Sequence, residues 1–507
     1  VEVDFTAAER YAALESNREA PLRRARNNAT LTLPYISPPD GFTEADDLED
    51  PVQNVGSLGV RNLAAKTTRA AFPANEPFWR HDADEIAAEE AENEEEGTTE
   101  GARKILAQYD RAVMHRIEAL GDRTKVEMMN KRLLIEGNSC LDIRKPKARV
   151  IPMSHYVVAR DARGTVLEAV IVEKVHPDSA PPEVVNDPAI DTEIDETKAS
   201  ASSEPLDLFT HLHLKGEMYH GFQEINGERV QGSDFSHKKD ELPFLFLRFI
   251  VVDGESWGRS FVEEIYGDLE SLEALSRAIL DAVAAGSKVV WFVNPNGSTA
   301  TKDLADAENL DVIAGNADDV STLQLGKSLD IQLAYNMAND YANRLKEAFL
   351  MNQSATREAE RVTAEEVRFL AVELEEVLSG FYTTLSEDFQ KPYVRIRIKQ
   401  MKDLPALPED TINLTITTGL DALRKGRELE KLRVFRAEMV AAYGADALSQ
   451  VLPAKTFADR LTAALGLNLS APMKTEEEAR QQQTADQVTA QAIEAAPQMI
   501  SQGMSDG

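Results

Sequence analysis

The sequence predicts an α+β chain that is mainly helical, and three observations carry the prediction. Apolar residues recur every three or four positions in several long stretches, which loads one face of a 3.6-residue helix; Ile265, Leu269, Leu272, Leu275, Ile279 and Val283 form one such stripe. Short β-branched and aromatic runs, among them residues 150–174 and 244–252, alternate or stay apolar over strand lengths. The chain has 507 residues with 43% hydrophobic content, enough for several domains or one large protomer with a sizeable core.

Residues 1–33 pattern as a helix with Phe5, Ala8, Tyr11 and Leu14 on one side and a basic cluster, Arg23, Arg24 and Arg26, further along. The cluster reads either as a DNA contact or as a solvated helix face. A loop rich in proline and acid covers 34–51, a helix covers 56–72, and the prolines of FPANEPFW stop it. The run DADEIAAEEAENEEEG (82–97) is nearly pure acid. Its plain reading is a solvated or mobile segment, because the spaced oxygen ligands and turn glycine of an EF-hand loop are absent. Residues 101–137 return to amphipathic helix, and 150–174 alternate as two antiparallel strands around Asp161-Ala162-Arg163-Gly164. A polar excursion at 176–205 has little to bury. The strand at 210–219 places His211 and His213 on one face, a metal pair that lacks a third ligand at fitting spacing. Asn226-Gly227 marks a hairpin over 224–230, and 244–252 reads as a buried strand.

Residues 253–401 organise the remainder. Ser260 followed by Glu263 writes a capping box for a helix that Gly286 ends. The insert 288–326 opens with KVVWFVNPNG, a strand stopped by Asn-Pro-Asn-Gly, and closes on short apolar pieces at Val312, Ile313, Leu323 and Leu325, so a small strand-rich module is expected. The second helix, 329–351, is apolar only at Leu333, Met337, Tyr341, Leu345 and Phe349. A stripe one residue wide suits packing beside copies of itself better than burial in a monomer core. Residues 352–360, NQSATREAE, break the pattern. A third helix starts on a second capping box, Thr363 with Glu366, and carries Val367, Leu370, Leu374, Val377, Phe381 and Leu385 until Pro392 kinks or ends it. YVRIRIKQ (393–400) alternates as a strand does, and 411–418 is a strand. Two or three helices follow over 420–467 around Leu423, Leu429, Leu432, Phe435 and Met439, and a Gln- and Ala-rich tail runs from Lys474.

A formal net charge of −32 argues against gripping nucleic acid by phosphate neutralisation, yet it suits a wall along which DNA slides. The single cysteine, Cys140, excludes an intramolecular disulfide and fits a reducing cytoplasm. No apolar run approaches the roughly 20 residues of a membrane span and no leader precedes the first helix, so a soluble intracellular protein is expected. Gly326-Lys327-Ser328 matches the end of a phosphate loop, but Ser321 stands where that loop needs its first glycine. With no G-x-S-x-G, H-E-x-x-H or paired-cysteine pattern, no catalytic residue, metal site or cofactor is nominated.

GVRNLAAKTTRAAFP (59–73), SHYVVARDARGTVL (154–167), GERVQGSD (227–234), DGESWGRSFVEEIYGDLESLE (253–273), SKVVWFVNPNG (287–297) and RVTAEEVRFLAVELEEVL (361–378) together resemble, in this order, the head-to-tail connector or portal proteins of short-tailed (podovirus, autographivirus-like) bacteriophages. The resemblance spans about residues 6–469. It implies a ring-forming protomer with a wing (1–255), stem helices (256–287 and 327–351) flanking a clip (288–326), a tunnel loop (352–361), a long kinked wing helix with a return strand (362–418), a helical crown (419–473) and a polar tail (474–507). It also implies that 393–400 continue a helix past the kink. About twelve copies would close head to tail at one capsid vertex of the virion after assembly in the host cytoplasm, passing double-stranded DNA without sequence-specific binding and without a membrane. The expected partners are a tail adaptor, the terminase large subunit, and capsid, scaffolding and internal core proteins. The tunnel loop would be Asn352, Gln353, Ser354, Ala355, Thr356, Arg357 and Arg361. Its two arginines either touch phosphate or pair with Glu358, Glu360 or a neighbouring subunit. The clip would dock partners through Lys288, Trp291, Asn294, Asn296 and Lys302. Two rival readings are a helical scaffold without a channel and a nucleotide- or metal-dependent enzyme.

Overall fold

The computed structural model describes residues 5–73, 78–83, 110–176, 205–286, 290–309, 311–323, 328–351, 380–401 and 412–416, with 434, 435 and 441. The chain divides into one unit of residues 1–74, 117–362 and 377–397 and a second of 75–116, 363–376 and 398–507. It is a mixed α+β fold.

In the first unit the N-terminal helix Ala7–Thr30 starts on a complete capping box. Thr6 Oγ1 accepts from the Glu9 amide at 3.2 Å and the Glu9 carboxylate accepts from the Thr6 amide at 3.0 Å. The Ala7 amide also donates to Glu224 at 2.8 Å, fixing the helix to an antiparallel sheet of Tyr156–Arg160, Val166–Val175, Leu206–Lys215, Met218–Ile225 and Glu228–Arg229, with Phe235–Lys238 also pairing to Met218–Ile225. Strand alternation sends Val157 and Val170 to Ala7, Tyr11 and Leu14. Their neighbours Tyr156, Val158, Ala169 and Ile171 join Phe244, Phe246 and Trp257 in the larger core. The expected hairpins form. Asn226 (φ 52°) and Gly227 (φ 80°) both take the left-handed conformation that a two-residue turn with the twist of its strands requires.

A second sheet pairs the buried strand Phe244–Arg248 with Asn138–Asp142, and that strand with Arg149–Ile151. The helix expected over 101–137 is interrupted. Gly121, at φ 66°, ends one segment, and Asp122–Glu136 begins anew with Asp122 buried against Arg397. The helix expected from Ser260 to Gly286 is also split, into Phe261–Glu264 and Tyr266–Gly286. Phe261 packs on Phe249 and Phe349 at ring distances of 6.3 and 5.6 Å, and burying it and Val262 turns the first helical turn inward. Ser260 Oγ does cap Glu263 at 3.0 Å, but the Glu263 carboxylate pairs with Arg259 and Arg24, so half of that capping box is made.

Of the third helix, Thr363, Glu366, Val367, Leu370, Leu374 and Val377 lie outside the described residues, while Phe381 and Leu385 are buried in the helix Phe381–Leu385. Pro392 does not end it. A π turn, Ser386–Gln390, precedes the proline, and Lys391–Lys399 continues as α-helix, so 393–399 are helical and Gln400 turns out of the helix. The wider turn shifts the backbone pairing before the ring arrives, so the helix carries on through a residue that has no amide to donate. Phe72, Phe389 and Tyr393 close around the junction with ring distances of 5.4 to 6.2 Å.

In the second unit Trp79–Ala83 pairs antiparallel with Ile412–Ile416. The latter strand was expected. The former, which runs into the acidic stretch, was not; Trp79 Nε1 donates to Asp110 at 2.7 Å there. The rest of 82–97, nearly all of 176–205, most of 420–467 and the tail from Lys474 lie outside the described residues. Among those that are described, no helix is long and apolar enough to cross a membrane.

Candidate functional site

The helices Tyr266–Gly286 and Ser328–Ala348 form an antiparallel pair, joined at one end by the ladder Val290–Val293 with Val320–Leu323. Arg344 bridges to Asp268 at 2.7 Å across the pair near its root. Burial falls steeply along it. Leu269 (0%), Leu272 (4%), Leu345 (1%) and Phe349 (0%) are enclosed at the root, whereas Leu280 (56%), Val283 (53%), Leu333 (61%) and Met337 (43%) stand exposed towards the ladder. The stripes read from sequence therefore exist, but their outer halves are only about half covered.

At the tip, Trp291 and Phe292 project from the ladder more than half exposed. Asn294-Pro295-Asn296-Gly297 is a built turn: the Asn294 amide donates to Asp319 O at 2.8 Å, Asn294 Oδ1 accepts from the Asn296 amide at 3.1 Å, and Asp319 Oδ2 accepts from the Ser298 amide at 2.7 Å. The structure thus gathers Trp291, Asn294 and Asn296 at one exposed tip. Lys302 is exposed on the short helix Thr301–Asp306, and Lys288 lies outside the described residues. The strands expected at the opening of the insert and at Leu323 form the ladder, but Val312 is 98% exposed and lies in no strand, because a two-stranded ladder offers no second layer to cover it.

The root carries residues that the sequence reading did not nominate. The second arm helix ends with Leu350 at φ 55°, and the amides of Leu350 and Met351 bond back to Glu347 and Lys346 at 2.9 and 2.7 Å, a left-handed helix stop occupied by leucine. The helix Val55–Ala71 receives this stop. Asn62 Nδ2 donates to Phe349 O at 2.9 Å, Lys66 Nζ donates to Leu350 O at 2.9 Å, and a Cβ on Gly59 would lie 2.3 Å from the Phe349 ring. All three receiving residues fall in the stretch GVRNLAAK, which is the available sequence signal. Asn352, Gln353, Ser354, Ala355, Thr356, Arg357 and Arg361, the expected channel residues, lie outside the described residues.

Other candidates resolve into structure. His211 and His213 stack at 5.6 Å, but His211 Nε2 bonds Glu168 at 2.9 Å, and no group of three metal-ligating side chains occurs among the described residues. Burial works to raise the Glu168 pKa, but hydrogen bonds from Arg10 and His211 win and hold it at about 2. Arg24 and Arg26, two of the three arginines of the basic cluster on the first helix, pair with Glu263 and Asp40. Cys140 is buried and its thiol pKa is pushed up by that burial, the state of an inert structural cysteine.

The family described as "Bacteriophage head to tail connecting protein" matches residues 5–471. The chain is 34% identical over 510 residues to the portal protein of Escherichia phage T7, covering 98% of this chain and 93% of that one. It is 34% identical over 484 residues to the portal protein of Enterobacteria phage T3, covering 92% and 88%, and 28% identical over 498 residues to that of Pseudomonas phage phiKMV, covering 96% and 95%. Among solved structures, a chain from the neck of an empty gene transfer agent particle aligns over 82% of this chain and 90% of its own, at 12% identity and a TM-score of 0.39.

Proposed function

The chain belongs to the family of bacteriophage head to tail connecting proteins, the portal proteins of short-tailed phages, and from that premise we propose how its parts divide the work. It is a structural component of the virion at the portal vertex, connecting head and tail, and is not an enzyme. In our reading about twelve copies close head to tail into a ring, with the antiparallel arm helices as the stem and double-stranded DNA passing through the centre during packaging and ejection. The insert 288–326 is the clip, which docks the terminase motor and later the tail adaptor through Trp291, Asn294, Asn296, Lys302 and Lys288. Residues 352–361 are the tunnel loop, 1–255 with 362–418 the wing, and 419–473 the crown facing the capsid interior.

The observation that carries this reading is the fall in burial along the arms. Apolar side chains that are 43–61% exposed in one chain, Leu280 with Val283 and Leu333 with Met337, sit at helical spacing on both arms, so a neighbouring copy set beside them removes that surface from water. The uncompensated acid of the chain, −32, supplies a wall that repels a DNA backbone and lets it slide. Negative-stain microscopy with native mass spectrometry on the purified chain tests it. A ring with a central hole and a mass near a dozen protomers is expected, and a compact monomer across salt conditions would overturn the ring.

A further inference from the structure

Against the acidity of the chain, the sequence Arg144-Lys145-Pro146-Lys147-Ala148-Arg149 concentrates positive charge in one turn, between the strands Asn138–Asp142 and Arg149–Ile151. The two arginines are committed internally. Arg144 binds Asp142 through Nε at 3.1 Å and Nη2 at 2.9 Å and lies 4.4 Å over the Phe244 ring. Arg149 reaches Asp142 at 3.3 Å and also pairs with Glu173. From below, Asp122 accepts the Ala148 amide at 3.3 Å while it holds Arg397. The three carboxylates shown at the turn, Asp142, Glu173 and Asp122, therefore each already face an arginine. Lys145 and Lys147 are left over: both are exposed, and neither has a hydrogen bond or ion pair to any described residue. Lys125, one turn into the helix that begins at Asp122, is also exposed and has no hydrogen bond or ion pair to any described residue.

We infer that this turn is a contact for the phosphate backbone of double-stranded DNA, made by Lys145 and Lys147. The arginine anchors and Pro146 hold the turn in one shape, so presenting the two ammonium groups costs little backbone ordering. Their backbones are at most about 7 Å apart at the reach of two residues, which spans about two charges of one strand at ~3.4 Å per charge. Lysine is a point charge on a flexible stem, suited to phosphate without base reading, and such a contact leaves sequence unread. The inference rests on the reading that DNA passes this chain, and it gives that DNA a contact separate from residues 352–361.

The test is fluorescence anisotropy of the purified full chain with a labelled 30-base-pair duplex between about 50 and 200 mM salt, with native mass spectrometry on the same samples. Replacing both residues, Lys145→Ala with Lys147→Ala, should lower the slope of log affinity against log salt by about 2 and weaken binding at ~0.1 M salt by one to two orders of magnitude. The pair Lys145→Arg with Lys147→Arg should keep the slope. An unchanged slope in the alanine pair overturns the contact, as does wild-type protein that shows no salt-dependent binding. If the alanine pair instead changes the assembled mass with DNA binding intact, the turn meets a second copy of the chain and the inference fails. Loss of slope in a chain that forms no ring would uphold the contact and sink the ring, so the two readings fail separately.

Discussion

The Lys66 ammonium donates to the carbonyl of Leu350 at 2.9 Å from a side chain that is 8% exposed. A cation at the C-terminus of a helix meets the negative end of the backbone dipoles, and here it also satisfies a carbonyl turned outward by a left-handed leucine. Lys66→Met keeps the stem of the side chain and removes the donor. It should cost about 1.5–3 kcal/mol, the range for a hydrogen bond to a charged group, read as a lower urea midpoint at unchanged slope. A loss below about 0.5 kcal/mol would mean that Asn62, which reaches the same carbonyl at 3.3 Å, suffices alone.

Gly59 is required by contact, not by backbone angle. A methyl group there would meet the Phe349 ring at 2.3 Å, and Phe349 is wholly buried. Gly59→Ala should destabilise by about 1–3 kcal/mol through overpacking. Combining it with Phe349→Leu should recover part of that loss, measured by a four-member thermal denaturation cycle. Strict additivity in that cycle would place the strain elsewhere.

Glu168 predicts a pH dependence. Its pKa in the folded chain, about 2 against an ordinary 4.5, is depressed by Arg10 and His211. A depressed carboxylate stabilises the fold above its unfolded pKa, and that contribution is lost as pH falls from about 4.5 towards 2. After discounting for solvent screening, Glu168→Gln should cost about 1–2 kcal/mol at neutral pH. The gap to wild type should narrow below pH ~4.5; a gap that stays constant down to pH ~2.5 would refute the assignment.

What the sequence disclosed was largely local. The Asn226-Gly227 turn, the Ser260 cap and the stripe through Leu269 and Leu272 depend on neighbours a few residues away, and each appears where its pattern lies. The misses depend on distant partners. Trp79–Ala83 is a strand because Ile412–Ile416 lies beside it, and nothing in its own five residues announces a partner so far along the chain. The break at Ile265 follows from Phe261 packing on Phe249 and Phe349, a tertiary demand that overrides helical periodicity. Gly59, Asn62 and Lys66 look like ordinary helix residues until the end of the second arm is placed against them. Of the candidate site, the aromatic and asparagine tip was legible because a strand followed by Asn-Pro-Asn-Gly is a short-range signal, whereas the local charge balance at Asp142 and Glu173 needed the fold.

Arg357 and Arg361 follow from the family reading of residues 352–361. Replacing both with alanine should leave the ring intact, because neither is needed for the exposed stripes on the arms to meet. Fewer filled heads or shorter packaged genomes are expected, by gel analysis of DNA from purified particles. Unchanged yield and packaged length would remove these arginines from the DNA path.

Removal of the tip tests docking with little disturbance to the arms. Val293 and Val320 are cross-strand partners, and the Asn294 amide bonds Asp319 O at 2.8 Å, so the segment between them leaves and re-enters the ladder at one place. Replacing residues 294–319 with Asn-Gly, the two-residue turn whose twist matches the flanking strands, should close the ladder directly. Trp291 and Phe292 remain in that variant, while Asn294, Asn296 and Lys302 are lost. Rings of the same copy number should form, since the stripes at Leu280, Val283, Leu333 and Met337 are untouched, yet tailed particles should fall by at least about ten-fold, the ratio expected when interactions worth ~1.4 kcal/mol or more are deleted from a docking surface. Normal tails on that variant would shift docking onto the two aromatic residues, and Trp291→Ala with Phe292→Ala on the shortened ladder would then separate a role for the ladder from a role for neither.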